Sequence, residues 1–392
     1  MKVLILNCGG SSVKCKLFEM PEEKVLAKGA VERIGKDDAA VAYKKGSEEV
    51  REIFPIRDHG AALEVLIKYI LGSFGNNAVE IVGHRMVHGG REVTGSVLIT
   101  EKVKETVRTY SELAPLHNPP NLRGIEACEK LLPGLPQVGV FDTALHTDLP
   151  VHAYTYALPY ELCDKYRIRR YGFHGIAFRY MAERASALFK RSLAEMRLVQ
   201  LMLGSGTTAN ALFYGKSIDV STGLTPTEGL VQSTRCGDLD PLVVTYLMRK
   251  ENFSPEQMDK ILCNQSGWLG ISGVSNDLRE VEAAAFSGDG QARAALETFI
   301  YRTKKYIGAY AAAMGGVDAV TIAGGVGEGS ARLRAGFLTG LEFLGLVLDP
   351  ERNEGLRGEG IISADGSKVS VAVVAADEEL VIARDTWALA RK

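Results

Sequence analysis

Three polar side chains stand at the ends of apolar runs and a fourth in a long polar loop, and their types point to the handling of anions. The segment GHRMVHGG sets Arg85 at a strand end, the place where open α/β sheets bind ligands. A guanidinium there can grip a planar carboxylate through two parallel hydrogen bonds, or neutralise a transferring phosphoryl group. His84 and His88 have the spacing of metal ligands on a helix, but this segment reads as a strand entering a turn. Packing and indirect hydrogen bonding therefore fit them better than ligation. FDTALH places Asp142 at another strand end, where a carboxylate can orient a metal, water or nucleophile. YGFHG holds His174 in an aromatic–glycine turn, from which an imidazole can donate to developing phosphoryl charge. Arg235 is the one basic residue of DVSTGLTPTEGLVQSTRCGDLDP, a loop too long and too rich in Gly, Thr and Asp to be filler.

Two short units with one plan surround these groups. VLILNCGGSSVKCKLF runs from an apolar strand through a turn with Asn7, Gly9, Gly10, Ser11 and Ser12 to a second strand carrying Lys14. RLVQLMLGSGTTANALF repeats the plan through Gly204, Ser205 and Gly206. Hairpins with glycine and hydroxyl turns let backbone N–H groups converge on an anion, which suits a polyphosphate. The Asn7 amide oxygen can stand near Mg²⁺, and Lys14 can reach a terminal phosphate as a point charge. Farther on, SGWLGISGVSNDLRE brings Asp277 and Arg279 just after a turn. GGVGEG puts Gly324, Gly325 and Gly327 in a loop between a strand and a helix, where a nucleotide could approach the backbone. That loop fits neither the Walker nor the dinucleotide fingerprint.

The elements that must position these residues alternate strand and helix, which predicts an α/β fold. At 392 residues the chain exceeds what one core usually supports. Two domains are expected, 1–148 and 149–379, with a terminal helix over 380–392 packing back on the first. The crossover is placed in an extended, Pro-flanked stretch at Leu149–Pro159. A net charge of −2 without a long basic run argues against nucleic acid or an anionic membrane as the main partner. No apolar run approaches the length of a membrane span or a signal-peptide core, and six scattered cysteines form no CxxC pair. A reduced, cytoplasmic protein is expected. Cys8 and Cys236 lie inside the motifs, where a small neutral side chain suits them better than nucleophilic duty.

A duplicated α/β domain with nucleotide loops on both halves resembles the actin and sugar kinase superfamily, whose ribonuclease H-like domains flank a nucleotide cleft. More specifically, NxGxSSxK, GHRxVHGG, LAPLHNP, FDTAxH, YGFHG, LGxG, DxSxGLTPxEGLxxxTRCGDxDP, SGxLGISGxSxDxR, GGxGE and DEELVIARDT occur in the order found in the acetate kinase family, which includes propionate kinases. The resemblance implies Mg²⁺, with Mn²⁺ as a substitute, held through Asn7 and Glu378, and ATP or ADP as co-substrate. Ser12 and Lys14 are implied as ATP contacts. Further nucleotide contacts fall at Met202, Leu203, Gly204, Ser205 and Gly206, at Asp277, Leu278 and Arg279, and at Gly325, Val326, Gly327, Glu328 and Gly329. Arg85 would bind the substrate carboxylate, with Val87, Leu116, Phe173 and Pro226 forming a pocket for a short acyl chain. Asp142, His174 and Arg235 are the implied catalytic residues.

A carboxylic acid is already ionised at neutral pH, so no general base is needed, and Asp142 is expected mainly to position substrate or metal. The family also implies a homodimer and closure of the domains during transfer. The chain departs from the family at Met202 and Ser205, where His and Asn are usual, at Gly10 in place of a serine, and at Gly329 in place of an asparagine. These changes bear on the choice of phosphoryl donor. Three alternatives stay open: propionate or another short acid as acceptor, pyrophosphate or another nucleotide as donor, or a nucleotide-binding protein of the same fold with weak or no turnover.

Overall fold

The apolar run Val3–Leu6 does not alternate with polar residues, and all four side chains are fully buried because helices cover both faces of its strand. The computed structural model describes residues 1–75 and 77–391. It divides into two compact units, Met1–Thr147 with Asp377–Lys392, and Asp148–Ala376. The last residue of the expected terminal helix, Lys392, lies outside the described residues.

The first unit is built on an eight-stranded sheet. Its strands are β1 (Lys2–Cys8), β2 (Ser12–Glu19), β3 (Lys24–Glu32), β4 (Ala40–Lys45), β5 (Glu48–Ile53), β6 (Ile81–Met86), β7 (Val97–Leu98) and β8 (Gln137–Phe141), in the order β5-β4-β3-β2-β1-β6-β8-β7. β1 and β2 form the expected hairpin with Asn7 opposite Lys14, while β6 runs parallel to β1 and β8 parallel to β6. Leu4 and Leu6 pack toward Leu63 and Leu66 of the helix His59–Phe74 and Cys128 of the helix Asn118–Leu131. Ile5 faces the other way, toward the helix Glu378–Leu389. Its neighbour Gly83 is glycine for a reason: a Cβ there would collide with Thr386 and crowd Ile382, lifting that helix off the sheet.

The second unit has six strands: β9 (Arg197–Leu203), β10 (Thr207–Phe213), β11 (Lys216–Val220), β12 (Ala319–Ala323), β13 (Gly360–Ile361) and β14 (Ser370–Val373). Their order is β11-β10-β9-β12-β14-β13, with β9 antiparallel to β10 and parallel to β12. The run β11-β10-β9-β12-β14 thus repeats β3-β2-β1-β6-β8 strand for strand and direction for direction. This is the duplicated, ribonuclease H-like plan of the actin-like fold. The helix Gly290–Ala313 covers one face, and Gly175–Phe189 the other.

Two local expectations need correction. Leu149–Pro159 is not wholly extended, since Val151–Tyr154 closes one helical turn on the carbonyls of Pro150 and Val151. GGVGEG is not a loop but a short helix, Gly325–Gly329. Gly324 turns the chain at φ 86°, and the Glu328 carboxylate accepts its N–H at 2.8 Å. The buried Arg334 then donates to the carbonyls of Gly327 and Glu328, each at 2.9 Å, and to Asn353. Glycine's poor helix propensity is outweighed by bonds made from outside the segment. Among the described residues no helix is long and apolar enough to cross a membrane.

Candidate functional site

In the first unit the chemistry gathers at the C-terminal ends of three parallel strands. Asn7 is the penultimate residue of β1, Arg85 lies near the end of β6, and Asp142 follows β8, extending its ladder through Asp142 N–H to Met86 O at 2.9 Å. Two buried asparagines of the NPPN segment brace these ends. Asn121 donates to Cys8 O at 3.1 Å and accepts Val87 N–H at 3.2 Å, and Asn118 bonds both the N–H and the carbonyl of His88. In the hairpin turn Gly9 N–H closes on Ser12 O, and the Nε2 of His59 lies 2.6 Å from Gly9 O.

Arg85 is held between two carboxylates. Its Nη2 donates to Asp142 Oδ2 at 2.8 Å, and its Nε lies 3.3 Å from Glu378 Oε2. Burial opposes the guanidinium's charge, but Asp142 and Glu378 outweigh burial and raise its pKa. Asp142 is 1 % exposed and Glu378 17 %, so the cluster is closed below and open above. Lys16, which the sequence reading passed over, contacts Asp377 and Glu379 on either side of Glu378. Lys14 is exposed and makes no ion pair among the described residues. His84 and His88 are kept neutral by burial, which pushes them down to about 4 and about 3. They bond Gln137 and Gly90 N–H, and His88 stacks on Tyr110. Burial raises the Cys8 thiol to about 12, well away from a nucleophile.

In the second unit the turn Gly204–Gly206 is closed by Gly204 N–H to Gly206 O at 3.1 Å. His174 starts the helix Gly175–Phe189 at φ 62°, and its Nδ1 lies 2.9 Å from Thr208 Oγ1 on β10. That contact brings the imidazole over the hairpin. Gly206 leaves a gap beside it: an added Cβ would stand 3.4 Å from His174 Cε1, 3.5 Å from Gln232 Oε1 and 3.7 Å from Arg235 Nη1. Arg235 donates only to neutral oxygens, Gln232 Oε1 at 3.1 Å and Pro226 O at 3.4 Å. Among the described residues it has no carboxylate partner, and burial pulls its pKa below the usual value. The loop that carries it is anchored by Arg170, which donates to Val220 O, Ser221 O and Glu228.

A cavity of about 560 Å³ opens beside this hairpin. Of the residues expected to meet a nucleotide, Gly204, Ser205, Asp277, Leu278, Arg279, Gly325, Val326 and Gly329 line it. The others do not. Leu203 is fully buried, Gly327 lies tight against Ile322, and Glu328 spends an oxygen on Gly324 N–H. Met202, half-buried on β9, and Gly206 belong to the hairpin but not to the cavity wall. Ser205 Oγ is 3.1 Å from Ser233 Oγ, so this departure from the family is engaged within the protein. Asp277 caps the helix Leu278–Phe286 and pairs with Arg279, whose hydrogen bonds hold the carboxyl down at about 2. Trp268, Asn276, Glu282 and Ser330 also line the cavity and were missed, although WLG and SND lie inside the quoted motif. The four residues expected to form an acyl pocket are divided between the units. Val87 is buried and Leu116 is 53 % exposed in the first, while Phe173 is buried and Pro226 half-buried in the second.

Among the described residues no group of three or more His, Cys, Asp or Glu could cage a metal. Mg²⁺ needs no cage: one or two carboxylates with phosphate oxygens and water suffice. The half-buried amide of Asn7 and the carboxylate of Glu378 fit that mode. Taken by unit, the arrangement offers a buffered guanidinium with two carboxylates, and an unbuffered guanidinium with an imidazole beside a glycine gap. Such sets suit a carboxylate and a phosphoryl group respectively.

Comparison with known proteins accords with this chemistry. The Acetokinase family profile matches residues 2–384. An acetate kinase of Dictyoglomus thermophilum is 50% identical over 396 residues, with 98% of each chain covered. The acetate kinase of Halothermothrix orenii is 49% identical over 393 residues, again with 98% of each covered. Among solved structures, that of Porphyromonas gingivalis acetate kinase matches with a TM-score of 0.93 at 46% identity, covering 99% of both chains. A propionate kinase from Francisella tularensis matches with a TM-score of 0.94 at 36% identity, also over 99% of both. With the family's profile met over nearly its whole length, this chain belongs to the acetokinase family.

Proposed function

We propose that the protein is an acetate kinase that moves the γ-phosphoryl group of ATP to acetate, giving acetyl phosphate and ADP, and that it runs the reaction in both directions. The observation that carries this reading is Arg235, a cation without a counter-charge among the described residues, beside His174 and the gap at Gly206. An unbuffered guanidinium is poised for an anion, and phosphoryl transfer concentrates negative charge on the equatorial oxygens of the transferring group.

The steps assigned to the chain follow from its groups. Arg85 receives the acetate carboxylate while Asp142 fixes the orientation of the guanidinium. The acetate oxygen attacks the γ-phosphorus in line, and the β,γ-bridging oxygen leaves on ADP. Since acetate arrives ionised, no side chain removes a proton. Arg235 and His174 hold the charge that spreads over the three oxygens in flight, and Lys14 meets the terminal phosphate. Val87, Leu116, Phe173 and Pro226 would take the methyl group. Mg²⁺, held through Asn7 and Glu378, would supply charge neutralisation for the polyphosphate.

The size of the cavity in the second unit favours a nucleotide over pyrophosphate as donor, since small-molecule sites run from about 300 to 1,000 Å³. A homodimer accords with helices that bury none of their own residues, Tyr160–Tyr166 and Pro241–Glu251, where Tyr160 and Leu242 are largely exposed. Six free cysteines accord with a reduced, cytoplasmic setting. Trapping the acyl phosphate with hydroxylamine tests the core of the reading. ATP with acetate should yield acetyl hydroxamate, at higher kcat/KM than propionate or butyrate and faster than with pyrophosphate. No hydroxamate from any acid would sink it.

A further inference from the structure

Lys16 has no part in the steps above, yet its placement is specific. On β2 it lies opposite Ile5 and two residues from Lys14, so all three side chains share the face that the terminal helix covers. Its ammonium reaches Asp377 Oδ1 and Glu379 Oε2, both at 3.2 Å. Asp377 is also the cap of that helix, accepting Leu380 N–H at 3.2 Å. A cation at the N-terminus of a helix works against the helix dipole, so helix stability alone does not explain a lysine here. What the arrangement does is fix the residues on both sides of Glu378. With Asp377 and Glu379 drawn to β2, the side chain between them turns toward β6 and meets Arg85 Nε at 3.3 Å.

We infer that Lys16 is a positioning residue: it locks the first turn of the terminal helix so that Glu378 stands beside Arg85, where it would hold Mg²⁺. The inference rests on the roles proposed above for Arg85 and Glu378. It assigns to Lys16 no contact with substrate.

A double-mutant cycle of Lys16→Met and Glu378→Gln tests it, read by hydroxamate formation. Lys16→Met should lower kcat about 10-fold, the scale on which residues that orient a reactive group act. Lys16→Arg should restore most of the loss. In the Glu378→Gln background Lys16→Met should cost nothing further, because the group it positions is gone. A second readout does not depend on turnover: the Nε–H resonance of Arg85, assigned by its loss in Arg85→Lys, should shift in Lys16→Met. Losses that multiply in the double variant, or an unmoved Arg85 resonance, would overturn the inference while leaving the kinase reading intact. An inactive wild-type enzyme would instead overturn the function itself. If Lys16→Met fails to fold, Lys16→Gln carries the same cycle.

Discussion

Arg235→Gln separates a catalytic cation from a structural one. In the folded chain Arg235 gives hydrogen bonds to two neutral oxygens, at 3.1 and 3.4 Å, and has no carboxylate partner among the described residues. Bonds from a charged donor contribute about 1.5–3 kcal/mol each at best, and the longer one contributes less. Against them stands the burial of an uncompensated charge, which costs a similar amount and is visible in the lowered pKa. A glutamine amide can keep one of the bonds without the charge. The net change in stability is therefore expected within about 1–2 kcal/mol of zero, in either direction. Loss of one partner from a buried ion pair would instead cost about 3–5 kcal/mol. Turnover should respond very differently. Removing an arginine that stabilises a phosphoryl transition state costs about 10³–10⁵ in rate, or about 4–7 kcal/mol. Urea unfolding with hydroxamate kinetics measures both quantities on one preparation. A variant destabilised by 3 kcal/mol or more that still turns over within tenfold of wild type would refute the assignment.

Arg85→Gln should show the contrasting pattern: about 3 kcal/mol of stability lost, because Asp142 is left buried beside Glu378 without its cation, and a raised KM for acetate as well as a lower kcat. An unchanged acetate KM would argue against Arg85 as the carboxylate receptor. Gly206→Ala should fold normally, since the new Cβ meets its neighbours at 3.4 Å or more, yet lose roughly 10- to 100-fold in kcat/KM for ATP by filling the gap. Full activity in that variant would remove the phosphoryl group from this position. Stability should also fall between pH 7 and 5. His84 and His88 stay neutral in the fold to about 4 and about 3 but take up protons near pH 6.5 when unfolded, so below 6.5 the unfolded state binds more protons. Each contributes up to about 2 kcal/mol of loss at pH 5. Urea midpoints across that range should fall less steeply in His88→Gln, and a wild type that grows more stable on acidification would contradict the argument.

What the sequence made legible were short-range regularities. The two hairpins could be read because glycines interrupt apolar runs, and Arg85, Asp142 and His174 because each ends such a run. The residues that hold them in place were hidden for a physical reason. Lys16 reads as a solvated strand lysine, since its partner Asp377 lies 361 positions away and no local pattern signals the pair. Asn118 and Asn121 look like turn residues in a Pro-rich stretch, although they are buried and bond the ends of β1 and β6. The helix at Gly325–Gly329 could not be read from five residues that include three glycines, because Arg334 and Glu328 impose it. Glu328 has a structural partner that no local pattern signals. A motif glutamate invites a ligand role, but its carboxylate cap for Gly324 is a sufficient reason for its presence.

The duplicated topology also shows how one strand plan acquires two chemistries. In each unit the strand parallel to the first strand of the hairpin delivers its end to that unit's candidate residues, as β6 with Arg85 and as β12 with Gly324 and Gly325. The difference lies in counter-charge. Arg85 is shared by Asp142 and Glu378, so its charge is answered in large part within the protein. A monoanionic acid must rely on directed hydrogen bonds from a guanidinium that Asp142 has already oriented, which selects for a planar carboxylate rather than for charge. Among the described residues Arg235 has no such counter-charge, and under the proposed roles it would draw a polyphosphate directly. Under the proposed roles, the placement of Asp142 and Glu378 on Arg85, and of neutral Gln232 on Arg235, would be the feature that divides acceptor from donor within one repeated fold.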